Sequence, residues 1–201
     1  MTLTVIQARM GSTRLRGKVF ADIGGRPVLE HVLSAAHAID GHGDIVVATS
    51  YLQQDLPIWN WCCQHHVKVF RWHPTDVLER FHKLWRTVGG DPIIRITADC
   101  PLLDPELVPP LVALVERGLD YATVEGAPAG RICEVFSAEI LAAAHRWAHT
   151  DEDREHVVPW MVRNGGCAVH RVEYADQRNV ELNTAADLER IRAIAGERIA
   201  A

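Results

Sequence analysis

At 201 residues, with 48% apolar and 23% charged side chains, the chain has the make-up of one globular domain, long enough to bury about 70% of its unfolded surface. Its formal charge of −5 argues against a general nucleic-acid binder, because the cations it carries are gathered locally rather than spread over a face. No apolar run approaches the ~18 residues of a membrane span, no signal peptide precedes the first strand, and five cysteines in such a chain read as reduced thiols of a cytoplasmic protein.

In chain order, residues 3–8 read as a short buried strand, apolar and β-branched with no charge until it ends. The loop that follows, Arg9-Met-Gly-Ser-Thr-Arg-Leu-Arg-Gly-Lys18, holds two glycines, two hydroxyls (Ser12 and Thr13) and four cations (Arg9, Arg14, Arg16 and Lys18). In an acidic protein such a density predicts a bound polyanion: glycines let backbone N–H groups approach it, and Arg forks with a Lys point charge neutralise it. The loop is not a Walker A motif. Five residues separate Gly11 from Gly17 instead of four, and Val19 stands where that motif needs the magnesium hydroxyl. The plainer alternative is a solvated basic loop after an edge strand.

Gly24, Gly25 and Pro27 mark a turn into a helix over 28–39, with Val28, Val32, Ala35, Ala36 and Ile39 on one face. A strand over 45–49, a helix over 56–66, a strand over 67–70 and a helix over 76–88 follow, the last capped by Thr75 or Asp76 and carrying an Asp76–Arg80 pair at i,i+4. Next come a strand over 93–97, a helix over 105–117 with Asp104 as its N-cap, and a strand over 119–123. Strand–helix alternation without hairpins predicts a mostly parallel sheet with right-handed crossovers, and ligands at the carboxyl ends of its strands. The last third reads as a flexible connector over 126–130, helices over 137–149 and 151–164, a strand over 167–174 and an amphipathic closing helix over 184–195 with Leu188, Ile191 and Ile194 inward. No linker is long enough for a second domain, so residues 1–201 form a single one. Adjacent Cys62 and Cys63, with His65, His66 and His73 nearby, lack zinc-ligand spacing and read as buried thiols beside surface histidines.

Asp99 directly follows the fourth strand in Arg95-Ile-Thr-Ala-Asp-Cys-Pro-Leu-Leu-Asp104. A carboxylate at the tip of a strand, facing a phosphate loop, is a natural magnesium ligand; alternatively, it caps the turn before Pro101.

Residues 6–18, Ala48-Thr-Ser50, Val69-Phe-Arg71, Asp76-Val-Leu-Glu-Arg80, Arg95 through Pro105, Glu134-Val-Phe136 and Arg154-Glu-His156 together resemble, in order, the cytidylyltransferase family that activates acidic sugars. That family includes CMP-Kdo and CMP-sialate synthetases, and the likeness is nearest to the spore coat polysaccharide biosynthesis protein F group. The resemblance implies a three-layer α/β/α fold of the nucleotide-diphospho-sugar transferase type. It implies transfer of CMP from CTP to an acidic sugar or phosphorylated acceptor, with release of pyrophosphate, Mg²⁺ as cofactor, and a homodimer. It makes Arg14, Lys18 and Asp99 the catalytic set, and Ala8, Arg9, Met10, Gly11, Ser12, Arg14, Lys18, Thr97, Ala98 and Asp99 the nucleotide-binding set. Glu134, Arg154 and His156 are then expected to bind a small anionic acceptor, and Asp99 to hold the metal. Rival readings are a glycosyltransferase, a sugar-phosphate pyrophosphorylase, and a nucleotide-binding protein with weakened catalysis.

The chain departs from that pattern at three places. Arg16 stands where the family usually has Pro, Ile132 replaces an Asp in Gly130-Arg-Ile-Cys-Glu134, and Asn183 replaces the second metal carboxylate in Asn183-Thr-Ala-Ala-Asp187-Leu. An amide is a poor magnesium ligand and no base. Glu181, which strand alternation puts on the same face as Asn183, is the residue that could compensate. A phosphate acceptor, already ionised, needs no base, which favours a phosphorylated or otherwise pre-ionised acceptor.

Overall fold

The computed structural model describes residues 1–200. In chain order the elements are β1 (Leu3–Gln7), β2 (Asp22–Ile23), β3 (Arg26–Pro27), α1 (Val28–His37), β4 (Asp44–Ser50), α2 (Leu56–Gln64), β5 (Val69–Trp72), α3 (Val77–Val88) and β6 (Ile93–Thr97). They continue with α4 (Val108–Glu116), β7 (Tyr121–Glu125), β8 (Glu134–Phe136), α5 (Ala138–Trp147), α6 (Asp151–His156), α7 (Pro159–Asn164), β9 (Cys167–Arg171) and α8 (Ala185–Ala200).

The central sheet runs β5-β4-β1-β6-β8-β7-β9. Its strands pair in parallel except β8, which lies antiparallel between β6 and β7. Both faces are covered, so the central strands are apolar on both sides and alternate between two cores. Ile6, Val47, Ile94 and Ile96 pack with Val28, Val32, Ile58, Leu111 and Ile191, from α1, α2, α4 and α8. Leu3, Val5, Val46 and Ile93 pack on the opposite face with Phe136 of β8 and with Leu78, Phe81 and Leu141, from α3 and α5. The three layers follow from this period-two alternation, each fully buried Leu, Ile or Phe contributing about 1.5–3 kcal/mol.

Several expectations are corrected. Glu134 to Phe136 form a strand that three residues are too short to announce by periodicity, and its direction makes the sheet mixed. Gly24 and Gly25, with φ of 62° and 84°, close a small β2–β3 hairpin. That positive pair is what the commonest two-residue hairpin turn requires. The helix expected over 151–164 is two helices. Pro159 has no N–H to give and its ring would strike the preceding turn, so the chain breaks at Val157 (φ 73°) and restarts with Pro159 in the first turn of α7. The strand expected over 167–174 stops at Arg171. Asp76 does cap α3, accepting from the Glu79 N–H at 2.8 Å, but it forms no pair with Arg80. Arg80 is fully buried and instead donates to the carbonyls of His73 and Pro74.

After β9, residues 172–183 run back across the molecule as an irregular strap. Val172 N–H bonds the Glu125 carbonyl at 3.0 Å, Val180 N–H the Ala129 carbonyl at 2.9 Å, and Leu182 N–H the Asp99 carbonyl at 2.8 Å. Gly130 (φ 87°) lies against this strap so closely that a Cβ would land on the Glu181 nitrogen and the Val180 carbonyl. Gly130→Ala is therefore expected to destabilise the protein by about 2–4 kcal/mol, read as a shift in the midpoint of chemical denaturation. A reciprocal cap then starts α8: Asp187 Oδ2 accepts from the Thr184 N–H at 2.7 Å, and Thr184 Oγ1 accepts from the Asp187 N–H at 3.2 Å.

Strand order reverses around β1, with β4 on one side and β6 on the other. The crevice beyond the carboxyl ends of β1 and β6 is the switch point at which open α/β sheets hold their ligands.

Candidate active site

The crevice is a cleft of about 520 Å³ lined by Gln7, Arg9, Gly11, Ser12, Thr13, Arg14, Lys18, Val19, Arg95, Thr97, Ala98, Asp99, Glu155, His156, Glu181 and Asn183. It is assembled from the loops after β1 and β6, the carboxyl ends of those strands, α6 and the end of the strap.

The loop after β1 is pinned from below. Met10 N–H donates to Asp55 Oδ1 at 2.7 Å, and the other Asp55 oxygen accepts from the Ser50 hydroxyl. Within the loop, Ser12 N–H and Gly17 N–H both reach the Met10 carbonyl, at 2.9 and 3.2 Å, and Leu15 N–H reaches Ser12 Oγ at 3.3 Å. Gly17 sits at φ 67°, a conformation that favours glycine, and so turns the chain to bring Lys18 over the sheet.

Lys18 spends its ammonium protons on three acceptors: Asp99 Oδ2 at 2.8 Å, the Leu182 carbonyl at 2.7 Å and Asn183 Oδ1 at 3.3 Å. Arg14 Nη2 reaches the same Asn183 oxygen at 2.8 Å. Burial alone would raise the Asp99 carboxyl, but the charge and hydrogen bond of Lys18 outweigh it and hold Asp99 below the usual carboxylate range, ionised at neutral pH. Arg9 is exposed and faces Glu155 at 3.6 Å.

A second cavity of about 230 Å³ opens off the first and shares Arg95, Thr97 and Glu181 with it. Here Arg95 pairs with Glu134 and donates to Gln7 Oε1 at 3.1 and 3.2 Å, while the Tyr121 hydroxyl donates to Glu134 Oε1 at 3.1 Å. Cys100 and Cys133 line the same space. Burial pushes both thiols up, Cys100 to about 12, so they stay protonated and are not nucleophiles.

Of the residues singled out in the sequence, Arg9, Gly11, Ser12, Arg14, Lys18, Thr97, Ala98, Asp99, His156, Glu181 and Asn183 meet in the main cleft, and Glu134 in the adjoining cavity. Ala8 and Met10 do not line either space: Ala8 is buried in the sheet with its N–H on the Ala48 carbonyl, and Met10 holds the loop together from beneath. Arg154 turns away to pair with Asp76 and, at 3.1 Å, with the His145 carbonyl, bordering a separate cavity. Four contributors escaped the sequence reading. Asp55 was hidden in a stretch read as entering a helix. Gln7 could have been found as a polar group ending an otherwise apolar strand and Arg95 as a charge inside one, whereas Tyr121, the first residue of β7, gave no such signal.

Mg²⁺ is commonly held by one or two carboxylates together with substrate phosphates. Asp99 keeps one oxygen clear of Lys18, and Glu181 lines the same cleft; among the described residues no three His, Cys, Asp or Glu side chains converge into a metal cage. The donor set fits one hard divalent ion completed by a phosphate ligand. Asn183 fits poorly as its ligand, because its oxygen already faces two cations.

A cationic glycine loop opposed to a strand-tip carboxylate, at the switch point of a three-layer sheet, is the architecture of the α/β nucleotidyltransferases. The chain belongs to the cytidylyltransferase family, whose profile, described as Cytidylyltransferase, matches residues 3–195. It is 36% identical over 213 residues to spore coat polysaccharide biosynthesis protein SpsF of Bacillus subtilis, covering 98% of this chain and 88% of that one. It is 37% identical over 161 residues to uncharacterized protein MJ1063 of Methanocaldococcus jannaschii, covering 80% of this chain and 66% of the relative's length. Among solved structures, a cytidylyltransferase from Leptospira borgpetersenii superposes with a TM-score of 0.91 at 26% identity, covering 98% of this chain and 87% of that one.

Proposed function

We propose that this protein transfers CMP from CTP to a small anionic acceptor, an acidic sugar or a phosphorylated compound, with release of pyrophosphate. The observation that carries this reading is the meeting of Lys18 with Asp99 across the cleft, with Arg14 alongside on Asn183. Membership of the cytidylyltransferase family supports cytidylyl transfer, and the likeness to a polysaccharide biosynthesis protein supports a sugar-related acceptor. A reaction that consumes CTP belongs in the cytoplasm.

Phosphoryl and nucleotidyl transfers are catalysed chiefly by positioning and charge neutralisation. The triphosphate lies along the loop after β1, with backbone N–H groups and the Ser12 hydroxyl as donors. Arg14 and Lys18 neutralise the β- and γ-phosphates and follow the charge that accumulates on the departing pyrophosphate. Arg9, at the mouth, faces the α-phosphate. Asp99, with Glu181 alongside, would hold Mg²⁺, which when bound supplies Lewis-acid polarisation of the phosphate oxygens. The acceptor enters through the cavity bounded by Glu134 and Arg95, with His156 on the wall of the adjoining main cleft. Its attacking oxygen approaches the α-phosphorus in line, opposite the pyrophosphate. Asn183 offers no base, which suits an oxygen that arrives already ionised.

The test is pyrophosphate release with each of the four nucleoside triphosphates against a panel of acidic sugars and phosphorylated small acceptors. CTP is expected to be preferred over ATP, GTP and UTP. Equal turnover of all four, or none with any acceptor despite tight CTP binding, would overturn the reading.

A further inference from the structure

We propose that Asn183 is a positioning residue that aims the cations Arg14 and Lys18 at the phosphates, so that the cleft grips a nucleoside triphosphate without first needing a divalent ion. The inference rests on the nucleotide-transfer reading above. Its basis is one atom: Asn183 Oδ1 accepts from Arg14 Nη2 at 2.8 Å and from Lys18 Nζ at 3.3 Å. The two cations reach this oxygen from the loop after β1, 169 and 165 positions away in sequence. The Asn183 backbone is held in turn by its N–H on Asp187 Oδ2 at 3.0 Å, which fixes the point from which the amide reaches into the cleft.

What matters is that this acceptor is neutral. Four cations, Arg9, Arg14, Lys18 and Arg95, line the cleft against three carboxylates, Asp99, Glu155 and Glu181, so only one positive charge is left in excess. An amide oxygen orients Arg14 and Lys18 by hydrogen bonds and leaves their charge available to an anion. A carboxylate in the same place would orient them equally well, but would pair with them and cancel a further charge. It would also make the cleft a stronger divalent-cation site. The lengths of the Lys18 bonds point the same way. Its contacts to Asp99 and to the Leu182 carbonyl are 2.8 and 2.7 Å, and that to Asn183 is the longest, hence the first to be exchanged for an incoming phosphate oxygen.

The experiment is calorimetric titration of CTP into the intact protein in excess EDTA and then in Mg²⁺, for the wild type, Asn183→Asp and Asn183→Leu. Thermal melts of the free proteins verify that all three are folded, and the isosteric Asn183→Asp carries the main comparison. The wild type is expected to bind CTP in EDTA, with Mg²⁺ improving affinity only a few-fold. Asn183→Asp should lose roughly tenfold or more in EDTA and recover most of it in Mg²⁺, a split that a purely structural role would not produce. Asn183→Leu should weaken binding in both buffers without such recovery. Equal EDTA affinities for wild type and Asn183→Asp would overturn the inference, as would wild-type binding that is strictly Mg²⁺-dependent. Absence of wild-type binding in both buffers would instead overturn the nucleotide-transfer reading on which it rests.

Discussion

Lys18→Met is expected to lower kcat/KM for pyrophosphate release by about 10²–10³-fold, the cost of removing one preorganised donor from the developing charge of a transition state. The side chain is central because it serves two ends of the chain at once, bonding Asp99 beyond β6 and the Leu182 carbonyl of the strap. Methionine keeps the length and apolar stem of lysine but leaves Asp99, with only 21% of its side chain exposed, without its counter-ion. The Asp99 carboxyl should then titrate at higher pH than in the wild type, because the charge and hydrogen bond of Lys18 that oppose the effect of burial are gone. The sign for stability follows. A carboxyl held below its unfolded value stabilises the fold above that value, and the contribution fades as pH falls through the folded-state pKa. The variant should therefore lose stability at neutral pH and approach the wild type in acid. Steady-state kinetics and an NMR titration of Asp99 check both halves. Unchanged kcat/KM would show that Lys18 does not touch the reacting phosphates.

Arg131→Met should cost the fold about 2–4 kcal/mol. Arg131 is fully buried, with Nη1 on the Leu102 carbonyl at 3.1 Å, Nη2 on Asp176 Oδ2 at 3.2 Å and its guanidinium 5.9 Å from the Tyr174 ring centre. It thus ties the segment after β6 to the strap, which the Tyr174 hydroxyl also ties to Asp104 Oδ2 at 2.8 Å. The variant loses both hydrogen bonds and leaves the Leu102 carbonyl to be satisfied otherwise, each buried polar group costing about 1–3 kcal/mol when abandoned. The cost stays below the ~3–5 kcal/mol of a stranded buried charge, because the charge that remains, Asp176, is partly exposed and keeps Arg178 at 2.8 Å. Urea denaturation with an unchanged m-value measures the loss. Weaker CTP binding should accompany it, since the strap delivers Asn183. A variant as stable as the wild type would remove Arg131 from this role.

Much of the architecture was legible because β1, β4 and β6 are apolar runs separated by amphipathic helices, a pattern that leaves few topologies. Lys18 and Asp99 could be expected to meet because both lie just beyond parallel strands, and strand ends at a switch point share one crevice. What escaped was whatever depends on contacts distant in sequence. Three-residue β8 has no period to read, and its direction is set by its neighbours rather than by Glu134, Val135 or Phe136. Asp55 looks like any residue ahead of a helix until the loop after β1 comes down onto it. Arg154 sits in a motif that suggested ligand binding, yet Asp76, 78 positions away, claims its guanidinium. Asn183 is the instructive case. The missing carboxylate was visible in the sequence, but the two cations that converge on the amide were not.

The crevice is closed by segments far apart in sequence, the Lys18 contact to the Leu182 carbonyl spanning 164 positions. A ribosome-borne chain still short of the strap would possess every strand of the sheet and both phosphate-facing arginines, yet have nothing to hold Lys18 in register except Asp99. Competence for chemistry should therefore arrive abruptly, once the strap has been made, and proteolytic clipping between β9 and α8 should silence the protein while leaving most of its secondary structure in place.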